Sequence, residues 1–165
     1  MPYTPWFVLN CSEPAGPSEE KICDGYNAKI MVMAPKASRS SVIFDLDNDG
    51  ALDIVTNDFN SEPQILLSNL AQRKKIHWLK VLLIGSKSNR EGLGATVRLT
   101  AGGQTYTKYH DGKAGYLSQS ALPLYFGLGD ATKIERLEVL WPSGRVQTVR
   151  ENLRENQVVV VTEPM

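Results

Sequence analysis

The sequence predicts an all-β chain in two parts, an antiparallel β-sandwich preceded by a short acidic β-hairpin. Three observations carry this expectation. Runs of β-branched and aromatic residues alternate with polar ones, the period of half-buried strands. Turn residues separate those runs at Gly102-Gly103, Asp111-Gly112 and Pro142-Ser143-Gly144. No segment keeps a helical period over the roughly ten residues a stable helix wants.

Residues 1–40 read as a proline-rich leader, with Pro2, Pro5, Pro14, Pro17 and Pro35 withholding backbone donors and fixing φ. This region is expected to be irregular, with short extended pieces at Trp6–Leu9 and Ile30–Met33. Residues 41–70 read as a strand, an acidic loop, a second strand and a third short strand from Gln64 to Asn69. A polar connector at Ala71 to Lys75 follows. Residues 77–163 then read as the sandwich. Its expected strands are Trp78–Ile84, one centred on Ala95, Val97 and Leu99, Gln104–Tyr109, Gly115–Gln119, Leu124–Leu128, Ile134–Trp141, Val146–Val149 and Gln157–Thr162.

Size and charge exclude several classes of function. The chain has 165 residues, 42% of them hydrophobic, enough for one cored domain with an appendage. Its formal net charge is zero, and Arg73-Lys74-Lys75 reads as a solvated loop, so no electrostatic footprint for nucleic acid or an anionic membrane is present. Membrane insertion is not expected, because no apolar run approaches bilayer-spanning length. The two cysteines, Cys11 and Cys23, are spaced too widely for CxxC chemistry. Two readings stay open for them, a disulfide in an exported protein or unrelated thiols. Asn10-Cys11-Ser12 fits the loose glycosylation tripeptide. Met1 is followed by neither a basic start nor an apolar signal core, and the chain is therefore expected to be a piece of a longer precursor.

The informative stretch is Asp45-Leu46-Asp47-Asn48-Asp49-Gly50-Ala51-Leu52-Asp53. Four carboxylates this close repel one another unless a positive partner sits among them. Calcium suits them: it takes oxygen ligands in loose geometry, and Asp at relative positions 1, 3 and 5, Gly at 6 and a carbonyl at 7 can supply them. Asp45, Asp47, Asp49, the Ala51 carbonyl and Asp53 are the expected Ca²⁺ ligands. Thr56 stands where an EF-hand needs a bidentate Glu, and the flanks Ser41–Phe44 and Ile54–Thr56 are strand-like. The loop is therefore a DxDxDGxxD turn between strands. The alternative is an acidic solvated turn, which leaves the spacing and the glycine unexplained.

Other patterns carry less. Gly92-Leu93-Gly94 lacks a third glycine and a following helix, so it reads as backbone that needs positive φ or close approach, not as a phosphate cradle. His110, Asp111 and Ser118 do not assemble into a triad on sequence grounds. Trp141 shares a face with Leu137 and Val139 and reads as core. Tyr106, between Gln104 and Lys108 on one face, is a candidate exposed platform. Together with Tyr109 and Tyr116 it forms the candidate sugar-stacking set, with ordinary half-buried tyrosines as the equal alternative.

Phe44 to Val55 resembles the calcium-binding core of the FG-GAP or VCBS repeat, a blade of integrin-α-like propellers. The remainder resembles the ASPIC/UnbV domain of cartilage acidic protein-like chains. The residues that carry this second likeness are His77-Trp78-Leu79, Ser88 to Ala95, Gly115 to Ser120, Tyr125 to Gly129 and Trp141 to Arg145. The resemblance implies an extracellular or periplasmic, non-catalytic protein associated with calcium and with adhesion or ligand binding. A complete propeller needs several blades, and this sequence holds one repeat. Three functions follow as expectations: a calcium-stabilised module binding a polysaccharide or an extracellular protein, a structural or adhesive fragment prone to self-association, and an accessory domain of a polysaccharide-degrading enzyme.

Overall fold

A computed structural model describes residues 5–10, 29–33, 38–58, 62–115 and 118–165. Among them the chain is all-β, with one single-turn helix. Strands β1 (Pro5–Asn10) and β2 (Lys29–Met33) pair antiparallel. Strands β3 (Ser38–Phe44), β4 (Asp53–Asp58) and β5 (Gln64–Leu66) form a three-stranded antiparallel sheet that carries the acidic loop at its β3–β4 turn. The helix α1 (Leu70–Arg73) follows, inside the segment expected to be a polar connector.

The remaining strands are β6 (Trp78–Ile84), β7 (Thr96–Ala101), β8 (Gln104–Tyr109), β9 (Leu124–Gly127), β10 (Ile134–Leu140), β11 (Val146–Val149) and β12 (Gln157–Thr162). They make two sheets, ordered β11-β10-β7-β8 and β12-β6-β9. Alternation along each strand sends one set of side chains inward. Leu79, Val81 and Leu83 of β6, Val97 and Leu99 of β7, Phe126 of β9, Leu137 and Val139 of β10 and Val161 of β12 all enter one buried cluster. Trp141 joins it as expected, its Nε1–H donating to Gln147 Oε1 at 2.9 Å. Gln147 Nε2 in turn donates to the Thr162 carbonyl at 3.1 Å, tying β11 to β12.

The two extended pieces expected in the leader pair with each other as β1 and β2. Two expectations are corrected here. The pairing is not antiparallel throughout, since β12 runs parallel to β6, from Gln157 opposite Leu79 to Thr162 opposite Ile84. Residue alternation does not distinguish the two directions, and the long path between β6 and β12 leaves room for the crossover that a parallel pair needs. Of the expected strand at Gly115–Gln119, Tyr116 and Leu117 lie outside the described residues, and Gly115 and Gln119 form isolated bridges with Ser40 and Lys113. The third strand of the acidic hairpin ends at Leu66, where the Ser68 N–H turns to a carboxylate instead of a strand partner. Cys11 and Cys23 lie outside the described residues, as does most of the glycosylation tripeptide.

Candidate metal centre

The acidic loop is shaped by its own carboxylates before any ion is considered. Asp49 N–H donates to Asp47 Oδ1 at 3.2 Å, Ala51 N–H to Asp49 Oδ1 at 2.8 Å and Gly50 N–H to Asp45 Oδ2 at 3.2 Å. Short side chains accepting from backbone donors two residues on are what Asp does in turns. Asn48 and Gly50 take positive φ, 62° and 91°, which bends the chain back on itself.

This geometry gathers Asp45, Asp47 and Asp49, each offering a carboxylate oxygen within 4.8 Å of the others. Asp47 and Asp49 face solvent, while the Asp45 side chain is buried, only 1% exposed. One of its oxygens, Oδ1, has no hydrogen-bond partner. A buried carboxylate oxygen without a donor is costly, and a cation at the cluster would satisfy it.

Asp53 is placed differently from the sequence expectation. Both of its oxygens accept backbone N–H groups, Oδ2 from Leu46 and Oδ1 from Ser68, each at 2.8 Å. It closes the loop and holds the segment after β5 against it, and it stands apart from the gathered triad. Ala51 is buried beneath the loop. The donor set is three carboxylates, one of them with an unpartnered oxygen, and such hard oxygen ligands are the kind a divalent cation takes.

The loop does not stand free. Trp78 and Lys80 alternate with the core residues of β6 and so project from the opposite face of that sheet, where Tyr125 of β9 pairs with Lys80 in register. Those three side chains receive the loop. Tyr125 Oη–H donates to the Gly50 carbonyl at 2.6 Å, and Lys80 Nζ donates to Asp45 Oδ2 at 2.9 Å. The Trp78 and Tyr125 rings stack with centroids 6.2 Å apart, and the Lys80 ammonium lies 4.7 Å from the Trp78 ring centre. A Cβ on Gly50 would come within 2.7 Å of Trp78 Nε1, so glycine is required by both φ and contact. Burial, with the charges of Asp45 and Asp49 adding to it, pushes the Tyr125 hydroxyl up to about 12.

A second polar cluster lies near the other end of the same sheet. Glu163 is buried, and its Oε2 accepts three consecutive backbone N–H groups, from Ser86, Lys87 and Ser88, at 2.9, 2.9 and 2.7 Å. The Ser88 and Ser143 hydroxyls donate to Oε1 at 3.0 and 2.5 Å. Successive N–H groups converging on an anion make a nest. Burial raises the Glu163 pKa, but the Ser143 hydroxyl and the Ser88 and Ser86 backbone donors outweigh it and hold the group at about 2. Beside the nest, Asn89 closes the turn to Leu93 with a pair of 2.7 Å hydrogen bonds. Gly92 has φ 66° and packs against Leu83 and Trp141, as its sequence context suggested.

Residues 85–165 match the family model described as ASPIC and UnbV. No curated protein matches the chain. The ASPIC/UnbV range thus holds the Glu163 nest, Tyr125 and every strand from β7 to β12, while β6, whose side chains fill the same core, precedes it.

The tyrosines expected to stack on sugar sit within the ASPIC/UnbV range in unlike settings. Tyr106 packs half-buried against the core, with its hydroxyl donating to Gln104 Oε1 at 3.1 Å. It is not an exposed platform, because the face it shares with Gln104 and Lys108 is the inner one. Tyr109 is 61% exposed and borders a cleft of about 630 Å³. Tyr116 lies outside the described residues. That cleft runs between the acidic hairpin, at Ile43 and Leu52, and the range matched by the family model, at Asp111, Lys113 and Tyr125.

Sequence reading missed Trp78, Lys80 and Tyr125 as partners of the loop, and Glu163 altogether. An outward-facing Trp and Lys on a strand whose other face is Leu, Val and Leu is the one signal that a second layer covers that face. Glu163 has no such signal, because its Ser86, Lys87 and Ser88 donors lie 75 to 77 residues away in the chain and the Ser143 hydroxyl 20 away.

Proposed function

We propose that the protein is a calcium-stabilised, non-catalytic binding module of an extracellular or periplasmic chain. The observation that carries this reading is the buried, unpartnered Oδ1 of Asp45 within a triad of aspartates docked on Trp78, Lys80 and Tyr125. Ca²⁺ bound by Asp45, Asp47 and Asp49, with the neighbouring Ala51 carbonyl, would satisfy that oxygen and contribute folding free energy. Asp53 then acts as a positioning residue for the loop. The FG-GAP or VCBS likeness of Phe44–Val55 and a sandwich arrangement of the two large sheets belong to the same reading. The ligand is a polysaccharide or an extracellular protein, received in the cleft beside Tyr109, where an aromatic ring, a carboxylate and an ammonium border apolar walls. A glycan array tests this: saturable binding that Tyr109→Ala abolishes supports it, and no glycan bound by a folded, calcium-loaded protein removes the sugar.

A second reading is favoured by a specific surface. Ile43, Ile54 and Leu66 lie opposite one another across β3, β4 and β5, and all three are exposed, as is Ile65 on the other side. A small sheet that is apolar on both faces suits a structural or adhesive role, packing against further β-sheets. Self-association that Ile43→Glu suppresses, measured by analytical ultracentrifugation, supports that role. A monomer at every concentration speaks for the first reading. The reading as an accessory domain of a polysaccharide-degrading enzyme differs from the first only in its neighbours.

A further inference from the structure

Lys80 stands between the acidic loop and the sheet that carries it. Its ammonium donates to Asp45 Oδ2 at 2.9 Å, and the Gly50 N–H donates to the same oxygen at 3.2 Å. Asp45 therefore divides its carboxylate, with Oδ2 saturated by protein donors and Oδ1 buried without one. Lys80 is also fixed in place. It belongs to β6, the strand paired on both sides by β12 and β9, and its ammonium rests 4.7 Å from the centre of the Trp78 ring.

We propose that Lys80 is a built-in countercharge that keeps the acidic loop docked when no ion is bound and, by repulsion, sets how tightly the aspartate cluster holds a divalent cation. This rests on the calcium reading above and adds a residue to it. Two physical effects follow from one ammonium. In the ion-free loop it is the positive group that Asp45 contacts in a setting where unpaired carboxylates repel. In the loaded loop it is a like charge beside the ion, and the coupling acts on both partners equally. Lys80 also occupies Oδ2, so Asp45 has one free oxygen to offer the ion.

Removing the charge should thus move two quantities in opposite directions. A lysine that only packs would lower stability without tightening the site. The test uses the full chain as wild type, Lys80→Met and Lys80→Arg, with CaCl₂ titrated calorimetrically and melting recorded in chelator. Lys80→Met is expected to melt lower than wild type in chelator and to bind Ca²⁺ about tenfold more tightly, while Lys80→Arg stays near wild type on both. If Lys80→Met proves unfolded in chelator, recovery of the native circular dichroism at a Ca²⁺ midpoint below the wild-type dissociation constant supports the proposal, and recovery only above it, or failure to recover, overturns it. Wild-type binding with an equal or weaker Lys80→Met affinity overturns the role of Lys80 and leaves the calcium reading standing. Absence of binding in both proteins defeats the two together.

Discussion

The Tyr125 hydroxyl donates a 2.6 Å hydrogen bond to the carbonyl oxygen of Gly50, joining a strand of the ASPIC/UnbV range to the turn of the acidic loop. Gly50 is buried at that contact, pressed onto Trp78. The loop and the β12-β6-β9 sheet are therefore one packed unit.

Tyr125→Phe removes the hydroxyl and leaves the Gly50 carbonyl without this donor. The expected loss is about 1 kcal/mol of unfolding free energy, the usual net worth of such a bond. Denaturant titration in chelator measures it. The pH dependence has a definite sign: the folded-state hydroxyl ionises near 12 against 10.0 when unperturbed, so its contribution is complete below pH 10 and is lost as pH rises toward 12. Tyr125→Phe should flatten stability across that alkaline window.

Gly50→Ala combines two penalties, a left-handed φ of 91° and a Cβ within 2.7 Å of the Trp78 ring nitrogen. Its cost should exceed about 1 kcal/mol. Intrinsic tryptophan fluorescence should change with it, since the indole must move to admit the methyl group.

Glu163→Gln replaces a charged acceptor of five donors by a neutral amide that competes for the same hydroxyls. A lower melting temperature at neutral pH is expected. The wild-type carboxyl lies near 2 when folded against 4.5 when unperturbed. Its stabilisation is therefore present above about pH 4.5 and fades as pH falls toward 2. Melting curves from pH 6 downward should converge for the two proteins in that window.

The boundary of the folding unit is a further expectation. Strands β9 and β12 both pair with β6, and Leu79, Val81 and Leu83 fill the common core. A fragment of residues 85–165 should therefore fail to unfold cooperatively, whereas 74–165 should do so. Within the full chain, Trp141→Ala should cost roughly 3–5 kcal/mol, as deletion of a buried aromatic does.

Much of this arrangement was legible in the residues, for identifiable reasons. The strands β6, β8, β11 and β12 coincide with their expected bounds because alternation and turn residues mark both ends of each. The triad of Asp45, Asp47 and Asp49 was legible because its spacing is local. What escaped is everything set by contacts between distant segments. The face of Tyr106 depends on which side of β8 meets the core, and polar flanks at Gln104 and Lys108 pointed the wrong way, since the Lys108 ammonium reaches over Phe126 at 5.8 Å from its ring centre. Asp53 reads as a ligand by spacing, but Ser68, far along the chain, supplies a donor that commits one of its oxygens. The parallel entry of β12 and the docking of the loop on Trp78, Lys80 and Tyr125 have the same origin.

The most direct test of the central claim is differential scanning calorimetry of the full chain in excess Ca²⁺ and in chelator, beside Asp49→Asn. If the aspartate cluster holds the ion, Ca²⁺ at a hundred times its dissociation constant adds about 2.7 kcal/mol, which raises the wild-type melting temperature and leaves Asp49→Asn nearly unmoved. Wild-type melting curves that superimpose in Ca²⁺ and in chelator would contradict it.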